Sequence, residues 1–195
     1  MHPSHPIDTA PLGELRLIPL GIDHAGEAEA YRAEFPPSRE RVTFVPERIP
    51  GLDRLEEFPS AADWLRSVES ERGRIERFML VRGASPRALG FCTLRRKLEY
   101  DDDDPEFASH IGYSVRPSER GRGYGRELLR LALEKARELG LEKLRLVCVD
   151  TNTASIRVIT ANGGRPITPV YGAESGLTVN RYDIELYPER KEGNE

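Results

Sequence analysis

The chain has 195 residues, enough for one α/β domain with a sizeable core or one domain with an extension. Hydrophobic residues are 38% and charged residues 32%, a globular balance rather than a disordered one. A formal net charge of -4 lacks the basic footprint of a general nucleic-acid binder, and no apolar run approaches the roughly 20 residues that span a bilayer.

Residues 1–13 read as a flexible, Pro-rich lead-in without the charged and apolar regions of a signal peptide, which makes the cytoplasm the default compartment. Cys92 and Cys148 both fall in strand-like contexts, which argues against a disulfide scaffold. A single domain is expected from 14 to 190. Leu15 and Leu17 alternate with Arg16 and Ile18 in a first strand over 14–20. Asp23 reads as the cap of a helix ended by Pro36 and Pro37, and 36–59 as irregular. Ser60 and Asp63 resemble a capping box, with Trp64, Leu65 and Val68 turned inward. Strands follow at 77–82 and 88–96, then a polar loop holding Asp101 to Asp104. The fourth strand, 110–115, sets Ile111, Tyr113 and Val115 on one face. A helix at 125–139 carries Leu128, Leu129, Ala132, Ala136 and Leu139 in one stripe. The fifth strand, 143–150, is apolar on both sides beyond Arg145. A short helix and a hairpin turning at 173–176 complete the chain.

The stretch "RGRGYG", 120–125, stands between the fourth strand and the long helix. A helix starts with backbone N–H groups that lack intrahelical partners, and its aligned dipoles put about half a positive charge there. Gly121, Gly123 and Gly125 let an anion approach those groups, and Arg120, Arg122 and Arg126 add charge. A diphosphate is the natural guest. The same residues also suit an ordinary strand-to-helix turn. Neither the GxxxxGK[ST] loop nor the dinucleotide fingerprint is present.

Here the sequence resembles the GNAT superfamily of acetyl-CoA-dependent N-acetyltransferases, whose Arg/Gln-x-x-Gly-x-Gly/Ala signature is matched by Arg120, Gly123 and Gly125. The run "VDTNTASIRVITANGG" looks like the second cofactor motif of that family, through Asn152 and Ser155. The resemblance implies an α/β (α+β) fold: a mixed, mostly antiparallel sheet, splayed between strands four and five and flanked by helices. It implies acetyl-CoA as donor, held by Val115, Arg120, Gly121, Arg122, Gly123, Tyr124, Gly125, Arg126, Asn152 and Ser155. A backbone N–H near Val115 would stabilise the thioester oxyanion. The implied reaction is direct attack by the primary amine of a small molecule or peptide.

Many members of the family place a tyrosine seven residues after the Asn, as donor to the leaving sulfur. Ile159 stands there instead, which leaves water, Tyr171 or Tyr182 for the task. His110, Glu99 and Glu106 are the candidates for the base, although strand alternation puts His110 on the face opposite Ile111, Tyr113 and Val115. The four aspartates would attract a cationic substrate, or simply be a solvated loop. No metal is expected, because the four histidines show no ligand spacing with the cysteines. The final hairpin leaves a homodimer open. Two rival readings are a CoA-binding module without chemistry and an RNA-binding arginine–glycine segment. Disorder in such RNA-binding segments, against the ordered helix expected here, disfavours the second. Neither nucleic acid nor membrane is expected as a partner.

Overall fold

The computed structural model describes residues 14–36, 48–98, 108–172 and 176–187; the expected lead-in, Glu99, Glu106 and the four aspartates lie outside them. In chain order the elements are β1 (Leu15–Pro19), α1 (Ala25–Arg32), α2 (Ala61–Val68), β2 (Ile75–Arg82), β3 (Gly90–Arg95) and β4 (Ile111–Val115). There follow α3 (Tyr124–Glu138), β5 (Lys143–Val149), α4 (Thr153–Ala161), β6 (Arg165–Gly172) and β7 (Leu177–Glu185). They build a four-stranded sheet, β1-β2-β3-β4, and a three-stranded sheet, β5-β7-β6. Every ladder within them is antiparallel.

Successive side chains of a strand point to opposite faces, and both faces of the first sheet are covered. Phe78 and Leu80 of β2, with Cys92 and Leu94 of β3, meet Leu128, Leu129, Ala132 and Leu133 of α3. Met79, Val81 and Phe91 face the other way, against Tyr31 of α1 and Trp64 and Leu65 of α2. Leu128, Leu129, Ala132 and Ala136 of the α3 stripe are buried as its period predicts, while Leu139, the cap beyond the helix, is only partly buried, and Gly140 follows at φ 76°. Ser60 caps α2 by accepting the Asp63 amide at 3.1 Å.

Three local expectations shift. Asp23 does not cap α1: it sits inside a 3-10 turn, Ile22–His24, where the Gly21 amide donates to His24 Nδ1 at 3.1 Å. The imidazole does there what a carboxylate or hydroxyl does in a capping box. The stretch expected to be irregular over 36–59 contains a 3-10 turn, Leu55–Glu57, and buries Ile49, Leu52 and Leu55 in the α1–α2 core. β6 begins at Arg165, earlier than the hairpin pattern suggests, because a register shift between Ile167 and Val170 breaks its alternation.

Candidate active site

The pairing of β4 sets the site. The Arg95 N–H donates to the His110 carbonyl at 2.8 Å, and the Arg116 N–H donates to that of Leu89 at 2.9 Å. Residues of even number on β4 thus address β3, and strand alternation turns the N–H groups of Ile111, Tyr113 and Val115 towards β5. The two strands meet at one end only. There His110 N–H donates to the Arg145 carbonyl at 2.8 Å, and Arg145 N–H donates to His110 Nδ1, also at 2.8 Å. Beyond that vertex no ladder joins them, and β5 pairs with β7 on its far edge. The result is the splay expected between strands four and five. It is a gap lined by N–H donors that would be costly to leave unpaired once water is excluded.

The gap opens towards the glycine turn. Gly121 and Gly123 adopt φ values of 78° and 83°, left-handed conformations that favour glycine, and Gly121 to Gly123 are exposed. Gly123 is the N-cap of α3 and brings no side chain to the first amides of the helix. A Cβ at Gly123 would meet no atom of the described residues within 4 Å, so among them the space over those amides is open. Gly125 serves a different end: a Cβ there would lie 3.3 Å from Val158 and 3.6 Å from Val115, so its bareness lets α3 settle between β4 and α4. Arg120 lies over the Phe35 ring at 5.3 Å and donates to the Val115 carbonyl at 3.3 Å. Arg122 pairs with Glu119 at 3.0 Å, and Arg126 is exposed. Tyr124 offers no side chain to the turn: its ring is buried under Arg82, which lies over it and hydrogen-bonds its hydroxyl. Only the backbone of Tyr124 is available to an anion.

On the opposite wall Asn152 caps α4, its Oδ1 accepting the Ser155 amide at 3.0 Å. The Ser155 hydroxyl lies 2.9 Å from that of Tyr113, so a hydrogen bond crosses from β4 to α4. Burial pushes the Tyr113 phenol far above its ordinary range, which keeps its proton in place. The sequence marks Tyr113 only as one of three apolar-face residues, and strand alternation carries no sign of a partner 42 positions away. Ile159, seven residues after Asn152, is fully buried.

The other candidates are placed differently. The His110 Nδ1 lone pair is taken by the Arg145 amide, and burial lowers the imidazole's pKa, so the ring is neutral with its proton on Nε2. A base needs the lone pair that this ring has already committed. Tyr182 is packed in the core of the second sheet, opposite Leu146, and burial raises its phenol. Tyr171 lies on the exposed β6. Cys148 is buried with its thiol pushed up to about 11, as a small core hydrophobe rather than a nucleophile. On the β4 face away from α3, Asp53 lies beside Gly112 and accepts from Arg95 at 2.5 Å. Asp53 belongs to the stretch expected to be irregular, where no periodicity marks which side chains reach the sheet.

These features, a gap between β4 and β5 opening on the bare start of α3, are those of a cofactor-dependent acyltransferase fold. The family model of the acetyltransferase (GNAT) domain matches residues 14–165, and the chain belongs to the GNAT acetyltransferases. Among solved structures it is similar to RimL, a ribosomal L7/L12 alpha-N-protein acetyltransferase in complex with coenzyme A. That likeness has a TM-score of 0.66 at 17% identity over 92% of this chain and 96% of the other. It is also similar to yncA of Salmonella typhimurium with its cofactor acetyl-CoA, at a TM-score of 0.64, with 17% identity over 90% and 95%. A third likeness is to mutant forms of the spermidine/spermine N-acetyltransferase SpeG of Vibrio cholerae, with a TM-score of 0.60 and 15% identity over 89% and 95%. At such identities these likenesses show the fold. A mycothiol acetyltransferase of Sanguibacter keddieii is 33% identical over 75 residues, 38% of this chain and 24% of that protein. No described helix is long and apolar enough to cross a membrane.

Proposed function

We propose that this acetyltransferase moves the acetyl group of acetyl-CoA to a primary amine by direct attack, with both substrates bound at once. The observation that carries the reading is the row of N–H groups on the β4 edge that no described strand pairs, ending at a glycine helix start open among the described residues. The peptide-like arm of coenzyme A can pair with such an edge as an added strand. The amides at 123–126, with Arg120 and Arg122, receive its diphosphate. Asn152 and Ser155 face the arm from α4.

Acetyl-CoA supplies the activated acetyl group, and the chain's own residues supply orientation and charge. The Tyr113 or Val115 N–H is placed to stabilise negative charge developing on the thioester oxygen. With Tyr113 as the donor of this pair, the Ser155 O–H, which lies beside the Cys148 thiol, turns to the departing sulfur. This pair does the work that Ile159, buried and apolar, cannot do. It also weighs against the reading of a CoA-binding module without chemistry.

Thermal unfolding with and without acetyl-CoA tests the reading. At a ligand concentration of a hundred times Kd the wild type gains about 2.7 kcal/mol. Gly123→Val should lose that gain, because a side chain enters the anion's place. The comparison is of the ligand-induced shift, since the positive φ lowers the variant's own starting stability. An equal shift in both proteins would put the cofactor elsewhere. Thiol release with a panel of amines then tests turnover.

A further inference from the structure

The donor cleft leaves open what holds the acceptor. We propose that Asp53 does, its carboxylate receiving the ammonium of a primary alkylamine. The inference rests on the acetyl-transfer reading above. The segment around Asp53 is bound to the β3–β4 face away from α3: Ser114 Oγ donates to the Pro50 carbonyl at 2.6 Å, and Thr93 Oγ1 to that of Gly51 at 3.2 Å. Trp64 Nε1 donates to the Asp53 carbonyl at 2.9 Å, which fixes the backbone beneath the side chain. The carboxylate itself is 18% exposed, and its Oδ2 accepts from Arg95 Nη2 at 2.5 Å. A Cβ on Gly112 would lie 3.5 Å from Oδ1 and 3.7 Å from Oδ2, ordinary contact distance, so the carboxylate stands directly over the strand at Gly112.

Gly112 immediately precedes Tyr113, whose N–H addresses the gap. One residue along a strand is about 3.3 Å. An amine held at Asp53 Oδ1 therefore stands beside a thioester held at the Tyr113 amide, on the opposite side of the strand from α3. Other groups near that point are engaged: the His110 Nδ1 lone pair takes the Arg145 amide. Arg95 Nη1 donates to the Ser109 carbonyl at 3.3 Å while Nη2 holds Asp53, so the guanidinium fork is not offered to a substrate carboxylate. The site thus suits an alkylamine in preference to a free α-amino acid. Asp53 touches the substrate, and Arg95 is a positioning residue. In the transfer the C–N bond forms and the C–S bond breaks, with its electron pair leaving on sulfur. Of the two protons that the ammonium loses in becoming an amide, one is balanced by the proton gained at sulfur and the other goes to solvent.

The test is Asp53→Asn, assayed with 2-phenylethylamine, which stays cationic at about pH 8 as a lysine amine does, and with hydroxylamine, which is neutral there. The expected result is a rise of about tenfold or more in KM for the cationic amine, several-fold larger than any change with hydroxylamine, with acetyl-CoA affinity within about twofold of wild type. A glycine acceptor should be the poorer substrate of the wild type. Equal losses with both nucleophiles, or an unchanged KM for the cation, would overturn the proposal. If Asp53→Asn does not fold, Gly112→Ala decides: its methyl group fits at ordinary contact distance and fills the space beside the carboxylate where the amine would stand. That variant should raise KM for the cation while acetyl-CoA still binds, and an unchanged KM would overturn the subsite. A wild type that does not bind acetyl-CoA would overturn the donor reading and this subsite together, whereas one that binds it but ignores Asp53→Asn overturns the subsite alone.

Discussion

The proposed donor side and the proposed acceptor side of β4 are built by different means. On the proposed donor side the groups are backbone amides: the β4 edge that no described strand pairs, the turn at 121–123 and the first turn of α3. On the other side, side chains far apart in sequence are brought together: Asp53 on Arg95, Tyr31 on Ser114, and Arg116 on α1 and the turn after it. A backbone site needs only glycines and strand parity, so it survives large changes of sequence. A side-chain site depends on each partner, and substitution there should cost more stability and alter the acceptor more readily than the cofactor.

The largest expected effect tests that contrast at Arg116, where the two sides are fastened together. This residue is 1% exposed, donates to the Ala88 carbonyl at 2.6 Å and to Glu34 at 2.6 Å, hydrogen-bonds Glu27, and lies over the Tyr31 ring at 5.2 Å. Breaking a buried ion pair by removing one partner costs about 3–5 kcal/mol, and the partial exposure of both glutamates points to the lower end. Arg116→Met should therefore lower the unfolding free energy in urea by about 3 kcal/mol. A loss under about 1 kcal/mol would mean that α1 is held without this clasp. Burial pushes the Glu34 carboxyl up, but hydrogen bonds from Ser118 and Arg116 outweigh it and bring the group down to about 2. Its contribution is thus complete above the ordinary glutamate pKa and is lost as pH falls from there towards about 2. Arg116→Met should flatten that acid limb.

Next in size is the hydroxyl pair across the gap. Tyr113→Phe should lower kcat about tenfold with KM for acetyl-CoA nearly unchanged, and Ser155→Ala should do at least as much. Ser155→Thr, which keeps the hydroxyl, should restore much of the loss. If Tyr113→Phe raised KM for acetyl-CoA and spared kcat, the pair would be part of the binding wall and not a donor to sulfur.

The same contrast explains what is legible in the sequence. The amphipathic stripe of α3, the Ser60 cap and the glycine turn are local patterns, and each appears where its residues predict it. The cap at Asn152 is local as well, although it is recognised through a family motif. What stays hidden is carried by pairs of distant residues: Tyr113 with Ser155, Asp53 with Arg95, Arg116 with Glu27 and Glu34. Residues 49–55 have neither helical nor strand period, yet Ile49, Leu52 and Leu55 fill the α1–α2 core, because tertiary contact rather than propensity fixes them. His110 shows both kinds of outcome. Its position at the start of β4 is legible, but its bond to Arg145 is not, since only the fold makes the two strands neighbours.

That bond gives the smallest expected effect and a way to sharpen the comparison at the vertex. Burial lowers the pKa of His110; the Arg145 and Arg95 charges act in the same direction, while the Arg145 backbone and Asp183 oppose them. Of those groups, Arg95 arrives from β3, Arg145 from β5 and Asp183 from β7, and Arg145 donates to Asp183 at 3.1 Å. A histidine whose folded pKa is depressed binds more protons unfolded than folded. Its stabilising effect is therefore complete above the unfolded value of about 6.5 and falls away as pH drops below it. Protonation of Nδ1 would also replace an acceptor with a donor opposite the Arg145 N–H. Unfolding free energy of the wild type should fall from about pH 7 to about pH 5 more steeply than that of His110→Gln, whose amide oxygen can accept from Arg145 without titrating. Parallel slopes would show that the vertex is held by the His110 N–H and the Arg145 carbonyl alone. In that case backbone pairing would close the cleft on its inner end as it lines it along β4, and the imidazole would serve only as packing.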